Sequence, residues 1–324
     1  MRKNTRPKIV FLDAETGDCG DLDLRRLKAL GDVKMFARTP LSQIVSRSRD
    51  AEIIITNKCP LGNKELGNLP GLRLIAVTAT GYNNIDIAAA QKYQVGVANV
   101  AGYSTQSVAE HALLFILSFS HRLLEHHQAA RERWKSSPLF AILDYPFSNL
   151  EGKVLGLIGY GSIGKRVEKL AKAFGMKVLV AQLPGRKYSQ AKPRLSLEKV
   201  LEKSDYVSLH SALSPQTHSL MNAQNLKRMK KTAYLINLAR GLLVDENAVA
   251  QALLKNEIAG YATDVMIQEP PPQKHPFWNP KLKDKILLSP HIAWASRESR
   301  QILMDEVCRN IEAFLKGKKR NRVL

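Results

Sequence analysis

The sequence predicts an α/β protein with two doubly wound parallel-sheet domains, and two observations support this. Short apolar runs of strand length alternate with stretches of helical spacing along most of the 324 residues. Continuous apolarity is typical of parallel strands that helices cover on both faces. The runs also form two series, because a long helical stretch without Gly or Pro, Ser107 to about Arg133, lies between them. We therefore expect two domains joined by a helix.

The first series occupies about the first hundred residues and includes a helix candidate, Leu22–Leu30, that ends before Gly31. Its strand candidates are Ile9–Leu12, Val33–Phe36, Ile53–Thr56 and Leu74–Val77. The second series follows an irregular aromatic segment, Ser136–Phe147. Its strand candidates are Val154–Ile158, Val178–Val180, Tyr206–Leu209, Ala233–Asn237, Gly260–Asp264 and Ile286–Ser289. A last helix candidate, Arg297–Leu315, comes after this series is complete.

Composition excludes several classes of protein. Hydrophobic residues make up 44% and charged residues 24% of the chain, which are the proportions of a globular protein. Apolar stretches such as Ala112–Phe119 are far shorter than the roughly 20 residues that cross a bilayer. The three cysteines lie far apart in sequence, so we expect free thiols in a reducing cytoplasm and neither a metal site nor a disulfide framework.

The net charge of +20 is the one unusual bulk property. A nucleic-acid-binding surface would gather this charge on one element, with aromatic residues between the cations. Here the basic residues are spread along the chain, apart from a short run near the end, Lys316–Arg322. We therefore interpret the charge as a general attraction for anionic substrates and cofactors, and we do not expect a nucleic-acid partner.

A glycine-rich motif opens the second series. Gly159-Tyr-Gly-Ser-Ile-Gly164 directly follows a strand candidate and begins a helical stretch, Lys165–Phe174. Gly159 permits a tight turn, Gly161 lets a pyrophosphate approach the backbone, and Gly164 lets helix and strand pack closely. The free N–H groups at the start of that helix would then face the phosphates. The motif predicts a Rossmann domain that binds a dinucleotide.

The residue that usually selects NAD is missing. The fingerprint normally continues with Asp or Glu at the end of the second strand, where it binds the ribose 2′-hydroxyl. Gln182 occupies that place here, and Arg186 and Lys187 follow closely. A neutral side chain beside two cations tolerates a 2′-phosphate. We therefore expect the cofactor to be NAD or NADP, with NADP slightly favoured, although both cations could simply be solvated.

Three residues could carry the chemistry. Arg240, Glu269 and His291 each follow a strand candidate of the second series, and the carboxyl ends of parallel strands meet at one edge of a sheet. Arginine can bind a carboxylate and polarise a carbonyl, and histidine titrates near neutrality, which suits a proton donor. A carboxylate on the second ring nitrogen would orient the imidazole. This combination fits hydride transfer to C2 of a small 2-keto acid.

Several segments resemble the D-isomer-specific 2-hydroxyacid dehydrogenase family. They include Asn237-Leu-Ala-Arg-Gly-Leu-Leu-Val-Asp245, Gly152–Gly164, Asp205–His210, Ala79–Asp86 and Ser289–Trp294. The resemblance covers nearly the whole chain. Within the family, Ala98–Thr105, the loop from Trp134 to Pro146 and Ile292–Arg297 are most similar to the glycerate dehydrogenase and hydroxypyruvate (glyoxylate) reductase branch.

The resemblance implies a discontinuous, flavodoxin-like substrate domain, residues 1–103 plus 292–324, into which the NAD(P)-binding Rossmann domain, residues 104–291, is inserted. It implies that Arg240, Glu269 and His291 are catalytic, and that Thr80, Gly81 and Trp294 bind substrate with Arg240 and His291. The cofactor contacts it implies, beyond the glycine motif and Gln182, are Thr105, Ser162, Ile163, Arg186, Leu238, Ala239, Asp264 and Ala293, with Asp264 holding the nicotinamide carboxamide. Family members are usually homodimers, and the Trp134–Phe147 loop is where we expect contact between subunits, although it could instead face solvent.

Other functions remain open at this point. A dinucleotide-sensing regulatory protein on the same fold would account for the high charge, but it would not need a proton donor. The same enzyme class could also act on phosphoglycerate, which would need further cations near Thr80–Tyr82 that the sequence does not identify. Formate oxidation is disfavoured, because that branch of the family is usually longer and carries other pocket residues.

Overall fold

A computed structural model of the chain describes residues 6–185, 188 and 193–324. The described residues divide into two compact units. Unit 1 is formed by the residues up to Ser104 together with Ala295–Leu324, and unit 2 is formed by Thr105–Trp294. Unit 1 is therefore built from two separate segments of the chain, one before and one after unit 2.

Unit 1 begins with a five-stranded parallel sheet. Its strands are β1 (Lys8–Phe11), β2 (Asp32–Met35), β3 (Ile53–Thr56), β4 (Leu74–Val77) and β5 (Gly96–Ala98). They are arranged in the order β2-β1-β3-β4-β5. The helices between them are α1 (Arg25–Leu30), α2 (Ile44–Ser48), α3 (Asn63–Gly67) and α4 (Ile87–Lys92). Every residue of β3 and β4 is buried, as their continuous apolar runs predict.

Unit 2 holds a six-stranded parallel sheet in the order β11-β10-β9-β8-β6-β7. Unit 2 starts with two helices that precede the sheet, α5 (Thr105–His121) and α6 (Leu123–Arg133). The elements that follow are β6 (Val154–Ile158), α7 (Ser162–Ala173), β7 (Lys177–Val180), α8 (Leu197–Lys203), β8 (Tyr206–Leu209), α9 (Ala223–Lys227), β9 (Tyr234–Asn237), α10 (Glu246–Leu254), β10 (Gly260–Thr263) and β11 (Ile286–Leu288). The last helix, α11 (Arg297–Leu315), belongs to unit 1. Short 3-10 turns lie at Ala14–Thr16, Leu41–Gln43, Trp134–Ser136, Gly241–Leu243, Pro276–Trp278 and Pro280–Leu282. The predicted fold class, two doubly wound parallel sheets, is confirmed.

The long helix expected over Ser107–Arg133 is divided in two, so that prediction was wrong. Arg122 adopts a left-handed conformation with φ 49° and ψ 45°, which ends α5 and begins α6. Its guanidinium binds Glu125 at 2.9 Å and lies 5.4 Å from the centre of the Tyr145 ring. A non-glycine residue in this conformation carries steric strain, which these contacts offset. Neither Gly nor Pro marks the break, so the residue pattern gave no sign of it.

Each sheet has a topological switch point, where the strand order reverses direction. In unit 2 it lies between β6 and β8, and in unit 1 between β1 and β3. Ligands of open α/β sheets bind outside the carboxyl ends of the strands at such points. The residues that follow these four strands are therefore the first place to look for binding groups.

At the switch point of unit 1, the carboxylate of Asp13 is bound by the protein's own backbone. It accepts hydrogen bonds from the N–H groups of Asn57, Lys58 and Cys59 at 2.9, 2.6 and 3.1 Å. The hydroxyl of Thr56 donates a further bond of 3.2 Å, and Asp13 is only 4% exposed. A buried carboxylate needs such donors, because burial without them is costly. The interaction ties the loop after β1 to the loop after β3.

The remaining bulk expectations concern helices, thiols and metals. None of the described helices is both long enough and apolar enough to cross a membrane. All three cysteines are free thiols, and Cys59 and Cys308 are buried. In the part of the chain that the structure describes, no group of three or more His, Cys, Asp or Glu side chains is arranged to hold a metal ion.

Replacing Asp13 with Ala should lower the free energy of unfolding by roughly 3 kcal/mol, because the buried N–H of Asn57 and the hydroxyl of Thr56 lose their acceptor and the N–H of Lys58 loses its bond. Chemical denaturation measures this, and hydrogen exchange should show faster exchange at the amides of Asn57 and Lys58, whereas the amide of Cys59 keeps its bond to the hydroxyl of Thr56 at 3.0 Å. Asp50→Ala is the matched control, since its ion pair with Lys8 is 3.7 Å long and its side chain is 76% exposed. Equal stability of the two variants would contradict the assigned role of Asp13.

Candidate active site

The three predicted catalytic residues lie beyond the carboxyl ends of three adjacent strands of unit 2. Arg240 follows β9, Glu269 follows β10, and His291 follows β11. Parallel pairing of these strands places the three segments at the same edge of the sheet.

Glu269 and His291 form a hydrogen-bonded pair. Nδ1 of His291 lies 2.7 Å from Oε2 of Glu269, and both side chains are about one-third exposed, at 35% and 37%. Because an ionised carboxylate can only accept, the proton in this contact is on Nδ1. Nε2 is then the ring atom that can exchange a proton with another molecule. Oε1 of Glu269 accepts from the N–H of Met266 at 3.0 Å, which holds the carboxylate in place.

The backbone around His291 is held by Asp264. This carboxylate, 3% exposed, accepts from the N–H groups of Ile292 and Ala293 at 2.8 Å each and from the hydroxyl of Ser289 at 2.6 Å. His291 itself has a left-handed conformation with φ 55°, a strained geometry that such surrounding bonds must maintain. Asp264, expected to bind the nicotinamide carboxamide, already receives three bonds from its own chain, and a carboxylate has room for about one more.

Helix α5 reaches the same segment through two contacts. Nε2 of His111 lies 3.0 Å from the hydroxyl of Ser289, and the hydroxyl of Ser107 donates to the carbonyl of Ala293 at 2.5 Å. Burial lowers the pKa of His111, with the nearby carboxylate of Asp264 opposing this. Neutral His111 therefore supports the Ser289–Asp264 bond without adding charge.

Arg240 is exposed, and its neighbours are held in place. Its Nη1 donates to the carbonyl of Ala239 at 2.7 Å, and its own carbonyl accepts from the amide of Asn237 at 2.9 Å. Gly241 follows, and a Cβ there would lie 2.2 Å from the carbonyl carbon of Met266. The residue after Arg240 therefore has to be Gly, so that the loop between β10 and Glu269 can pack against it.

A second carboxylate–histidine pair lies behind that loop, and sequence reasoning missed it. Glu246 accepts from the N–H of Ile267 at 2.9 Å and from Nε2 of His275 at 3.0 Å. Both side chains are more than nine-tenths buried, at 9% and 8% exposure. Nδ1 of His275 accepts from the N–H of Phe277, which leaves the ring proton on Nε2 for Glu246. The pair holds Ile267, next to the residue that binds Glu269.

The glycine-rich turn after β6 has the form that a dinucleotide phosphate requires. Gly159 has φ +103°, and a Cβ there would lie 2.4 Å from the carbonyl carbon of His210. A Cβ on Gly164 would lie 2.5 Å from the carbonyl oxygen of Gly159. A Cβ on Gly161 would meet open space, so this position faces the region where a ligand can approach the start of α7. The residues therefore fit a bound pyrophosphate.

Two buried polar atoms at the end of β8 have no hydrogen-bond partner among the described residues. They are Nδ1 of His210 and the hydroxyl oxygen of Ser211. Both lie beside the glycine turn, since a Cβ on Gly159 would meet the His210–Ser211 peptide. Buried polar atoms usually pair, so these two are candidates to face the cofactor. The segment Asp205–His210 contributed to the family resemblance, but its polar groups were not assigned a role.

The edge predicted to select between NAD and NADP lies at the end of β7. Gln182 is exposed there, and its N–H donates to the carbonyl of Leu195 at 2.8 Å. Arg186 and Lys187 lie outside the described residues. Sequence reasoning missed Arg194, whose guanidinium lies 3.9 Å from the centre of the Tyr188 ring and donates to the carbonyl of Ala181 at 3.4 Å. A cation is therefore held at this edge.

The other predicted contacts lie at the ends of helices and strands. Thr105 begins α5, Ser162 and Ile163 begin α7, and Leu238 and Ala239 follow β9. Ala293 is buried, and the indole of Trp294 donates to the carbonyl of His291 at 2.9 Å. Thr80 and Gly81, the predicted substrate loop, follow β4 in unit 1.

A parallel sheet with a phosphate-type glycine turn at its switch point, and a His–Glu pair beyond neighbouring strands, defines a dinucleotide-dependent oxidoreductase. The model of the D-isomer specific 2-hydroxyacid dehydrogenase family, NAD binding domain, matches residues 113–293. The chain therefore belongs to the D-isomer-specific 2-hydroxyacid dehydrogenase family, as its motifs predict.

Two curated relatives are similar over nearly their whole length. A hydroxypyruvate reductase of Blautia hydrogenotrophica is 37% identical over 96% of this chain and 97% of its own. A glycerate dehydrogenase of Methylorubrum extorquens is 39% identical over 98% of both chains.

Solved structures are similar as well. A protein of Thermus thermophilus has a TM-score of 0.85 and 30% identity over 98% of this chain and 100% of its own. A D-lactate dehydrogenase of Aquifex aeolicus, complexed with NAD and lactic acid, has a TM-score of 0.77 and 27% identity over 95% and 96%. An NADPH-dependent glyoxylate/hydroxypyruvate reductase of Sinorhizobium meliloti, complexed with NADP and malonate, has a TM-score of 0.79 and 25% identity over 96% and 94%. Similar proteins thus bind either dinucleotide.

Stability at acid pH should depend on His210, because burial lowers the pKa of its imidazole to about 4. The unfolded residue titrates near 6.5. Between about pH 6.5 and 4 the unfolded chain takes up a proton that the folded one does not, so the free energy of unfolding falls by up to roughly 3 kcal/mol as the pH falls. Denaturation of the wild type and of His210→Gln across this range isolates the effect, which the variant should lose. An NMR titration that placed His210 near 6.5 would contradict it.

Proposed function

We propose that this chain reduces hydroxypyruvate or glyoxylate to D-glycerate or glycolate with NADPH or NADH. The observation that carries the proposal is the 2.7 Å pair between His291 and Glu269 on the sheet that also bears the glycine turn. A protein that only senses dinucleotides needs no such proton donor. The names of the hydroxypyruvate reductase and glycerate dehydrogenase relatives support the choice of substrate.

When bound, the dinucleotide supplies the hydride for C2 of the keto acid. Gly159, Gly161 and Gly164 would hold its pyrophosphate at the start of α7, and Asp264 would accept from its carboxamide. Thr105, Ser162, Ile163, Leu238, Ala239 and Ala293 would provide further contacts. Gln182 carries no charge to repel a 2′-phosphate, and Arg194 at the same edge would attract one, so we expect NADPH to be used at least as well as NADH.

Arg240 and the Thr80–Gly81 loop bind the substrate in this proposal. The guanidinium of Arg240 is exposed and donates through a planar fork that suits a carboxylate and the adjacent carbonyl oxygen. The backbone N–H groups of Thr80 and Gly81 donate to no described residue, so they remain able to bind carboxylate oxygens. Trp294, bonded to the carbonyl of His291, would contact the substrate beside the ring.

His291 supplies the proton. As hydride arrives at C2, the carbonyl oxygen takes the proton from Nε2 of the imidazolium, and the keto acid becomes a 2-hydroxy acid. The carboxylate of Glu269 on Nδ1 orients the ring and leaves Nε2 to exchange this proton. The oxidation of a hydroxy acid uses the same groups in reverse.

Replacing His291 with Ala should lower kcat for hydroxypyruvate by about 10²–10⁴-fold, because no other group then protonates the oxygen. NADPH oxidation over a panel of small 2-keto acids, repeated with NADH, measures this and the cofactor preference. His127→Ala is the control, since His127 is exposed. A loss of only a few-fold in His291→Ala would contradict the proton-donor role.

The same panel also tests the sensor alternative and the cofactor preference. If the wild-type protein binds dinucleotide but reduces none of the acids, the sensor function is correct. A tenfold or greater preference for NADH would overturn the NADP expectation.

We also propose that the protein is a homodimer that pairs through the segment after α6. This segment exposes large apolar side chains: Trp134 is 54% exposed, Leu139 68%, Phe140 93% and Leu143 82%. Apolar exposure on this scale is typical of an interaction surface. Light scattering at low micromolar concentration should give twice the chain mass of 36.2 kDa, and Phe140→Asp with Leu143→Asp should shift it toward the monomer. A monomeric wild type would mean that the loop faces solvent.

We infer a reducing location, the cytoplasm, from the thiols. Burial raises the pKa of Cys59 to about 11 and that of Cys308 to about 12, so both remain protonated and unreactive. Cys19 is exposed and free. An oxidising compartment would expose this thiol to disulfide formation.

A further inference from the structure

The Thr80–Gly81 loop is bonded to the segment that follows β5. The N–H of Val100 donates to the carbonyl of Ala79 at 3.0 Å, and the hydroxyl of Thr80 donates to the carbonyl of Val100 at 2.9 Å. The side-chain amide of Asn99 donates to the carbonyl of Thr80 at 2.7 Å. Three hydrogen bonds within four residues thus determine the course of the loop backbone, and two of them reach Thr80 itself.

Asn99 belongs in turn to a closed ring of three asparagines. The amide of Asn310 donates to the carbonyl of Asn99 at 3.0 Å, and the amide of Asn321 donates to the side-chain oxygen of Asn310 at 3.0 Å. The N–H of Asn99 completes the ring by donating to the carbonyl of Asn321 at 3.2 Å. Asn310 lies on α11 and is only 2% exposed. All three residues belong to unit 1.

The C-terminal tail is anchored beside this ring. The N–H of Val323 donates to the carbonyl of Val97 at 2.9 Å, and Arg322 forms an antiparallel bridge with Ala98. The guanidinium of Arg322 packs against Gly96, where a larger residue would displace it. Val323 and Leu324 pack on the buried core of unit 1. The tail therefore pairs with β5 through one antiparallel bridge and carries Asn321 with it.

Asparagine suits this arrangement for two reasons. The side-chain amides of Asn310 and Asn321 and the backbone groups of Asn99 and Asn321 are all neutral, so the ring closes without burying a charge. Asn321 has φ 47°, a left-handed conformation that asparagine tolerates better than most residues. Loss of the Asn310 or Asn321 amide opens the ring, and without Asn321 the side-chain oxygen of buried Asn310 loses this donor.

We propose that Asn99, Asn310 and Asn321 are positioning residues, through which α11 and the C-terminal tail hold the Thr80–Gly81 loop in the shape that binds the substrate carboxylate. This rests on the proposed function, in which the N–H groups of that loop bind the keto acid. The residues themselves touch no substrate. Their effect is therefore on keto-acid affinity and not on dinucleotide binding.

The test uses Asn99→Ala, which removes the bond to Thr80, and Asn321→Gly, which keeps the left-handed backbone available and removes only the amide. Each should raise KM for hydroxypyruvate about tenfold, change kcat less than threefold, and leave the Kd of NADPH, measured by fluorescence titration, unchanged. Asn68→Ala is the matched control, because among the described residues the side-chain amide of Asn68 bonds only to the nearby carbonyl of Lys64, at 2.8 Å. It should behave as the wild type.

A wild-type KM in both variants would overturn the proposal, and so would a Kd for NADPH that rises in parallel with KM. Hydrogen exchange gives a readout that does not need turnover. The amide of Val100, bonded to Ala79, should exchange at least tenfold faster in Asn99→Ala and Asn321→Gly, while the amides of β3 keep their wild-type rates. If the wild-type protein reduces no keto acid, the proposed function fails, and this exchange result still decides whether the ring holds the loop.

Discussion

The candidate active site depends on the hydrogen bonds that the buried carboxylate of Asp264 accepts. This carboxylate binds two successive backbone N–H groups after His291 and the hydroxyl of Ser289 before it. The left-handed turn at His291 persists because both of its sides are bonded to the same buried group. Without this carboxylate, the imidazole would have no defined direction, and its contact with Glu269 would lose its geometry.

Glu269 depends on a buried carboxylate in the same way. The loop that binds it through Met266 is held at Ile267 by Glu246, which His275 supports from behind. Because Gly241 has no side chain, this loop packs directly against the backbone beside Arg240. Arg240 is thus exposed and His291 and Glu269 are about one-third exposed, whereas the groups that hold the backbone around them, Asp264, Glu246 and His275, are buried. Such a division is expected, since a side chain that must be reached by a ligand cannot also be held by burial.

The sequence predicted the fold, and it predicted that Arg240, Glu269 and His291 follow strands of the second sheet. Continuous apolar runs such as Ile53–Thr56 predicted parallel strands, and glycine spacing after β6 predicted the phosphate turn, because both signals lie within one short segment. It was insufficient where partners are distant in sequence. Glu246 and His275 are 29 residues apart, and Asn99 and Asn310 are 211 apart, so no local pattern announces either contact. The three-residue strand β5 is too short for a periodic signal, and the break at Arg122 depends on tertiary contacts.

Of the two described switch points, the one in unit 2 carries an open glycine turn, and the one in unit 1 is filled by Asp13. The three N–H groups that bind Asp13 resemble an anion receptor, and the carboxylate acts as a tethered ligand within it. A free phosphate would have to displace a group that covalent attachment keeps at a high effective concentration. A chain with two sheets of the same design can in this way direct a nucleotide to one of them, because the other already contains its own anion.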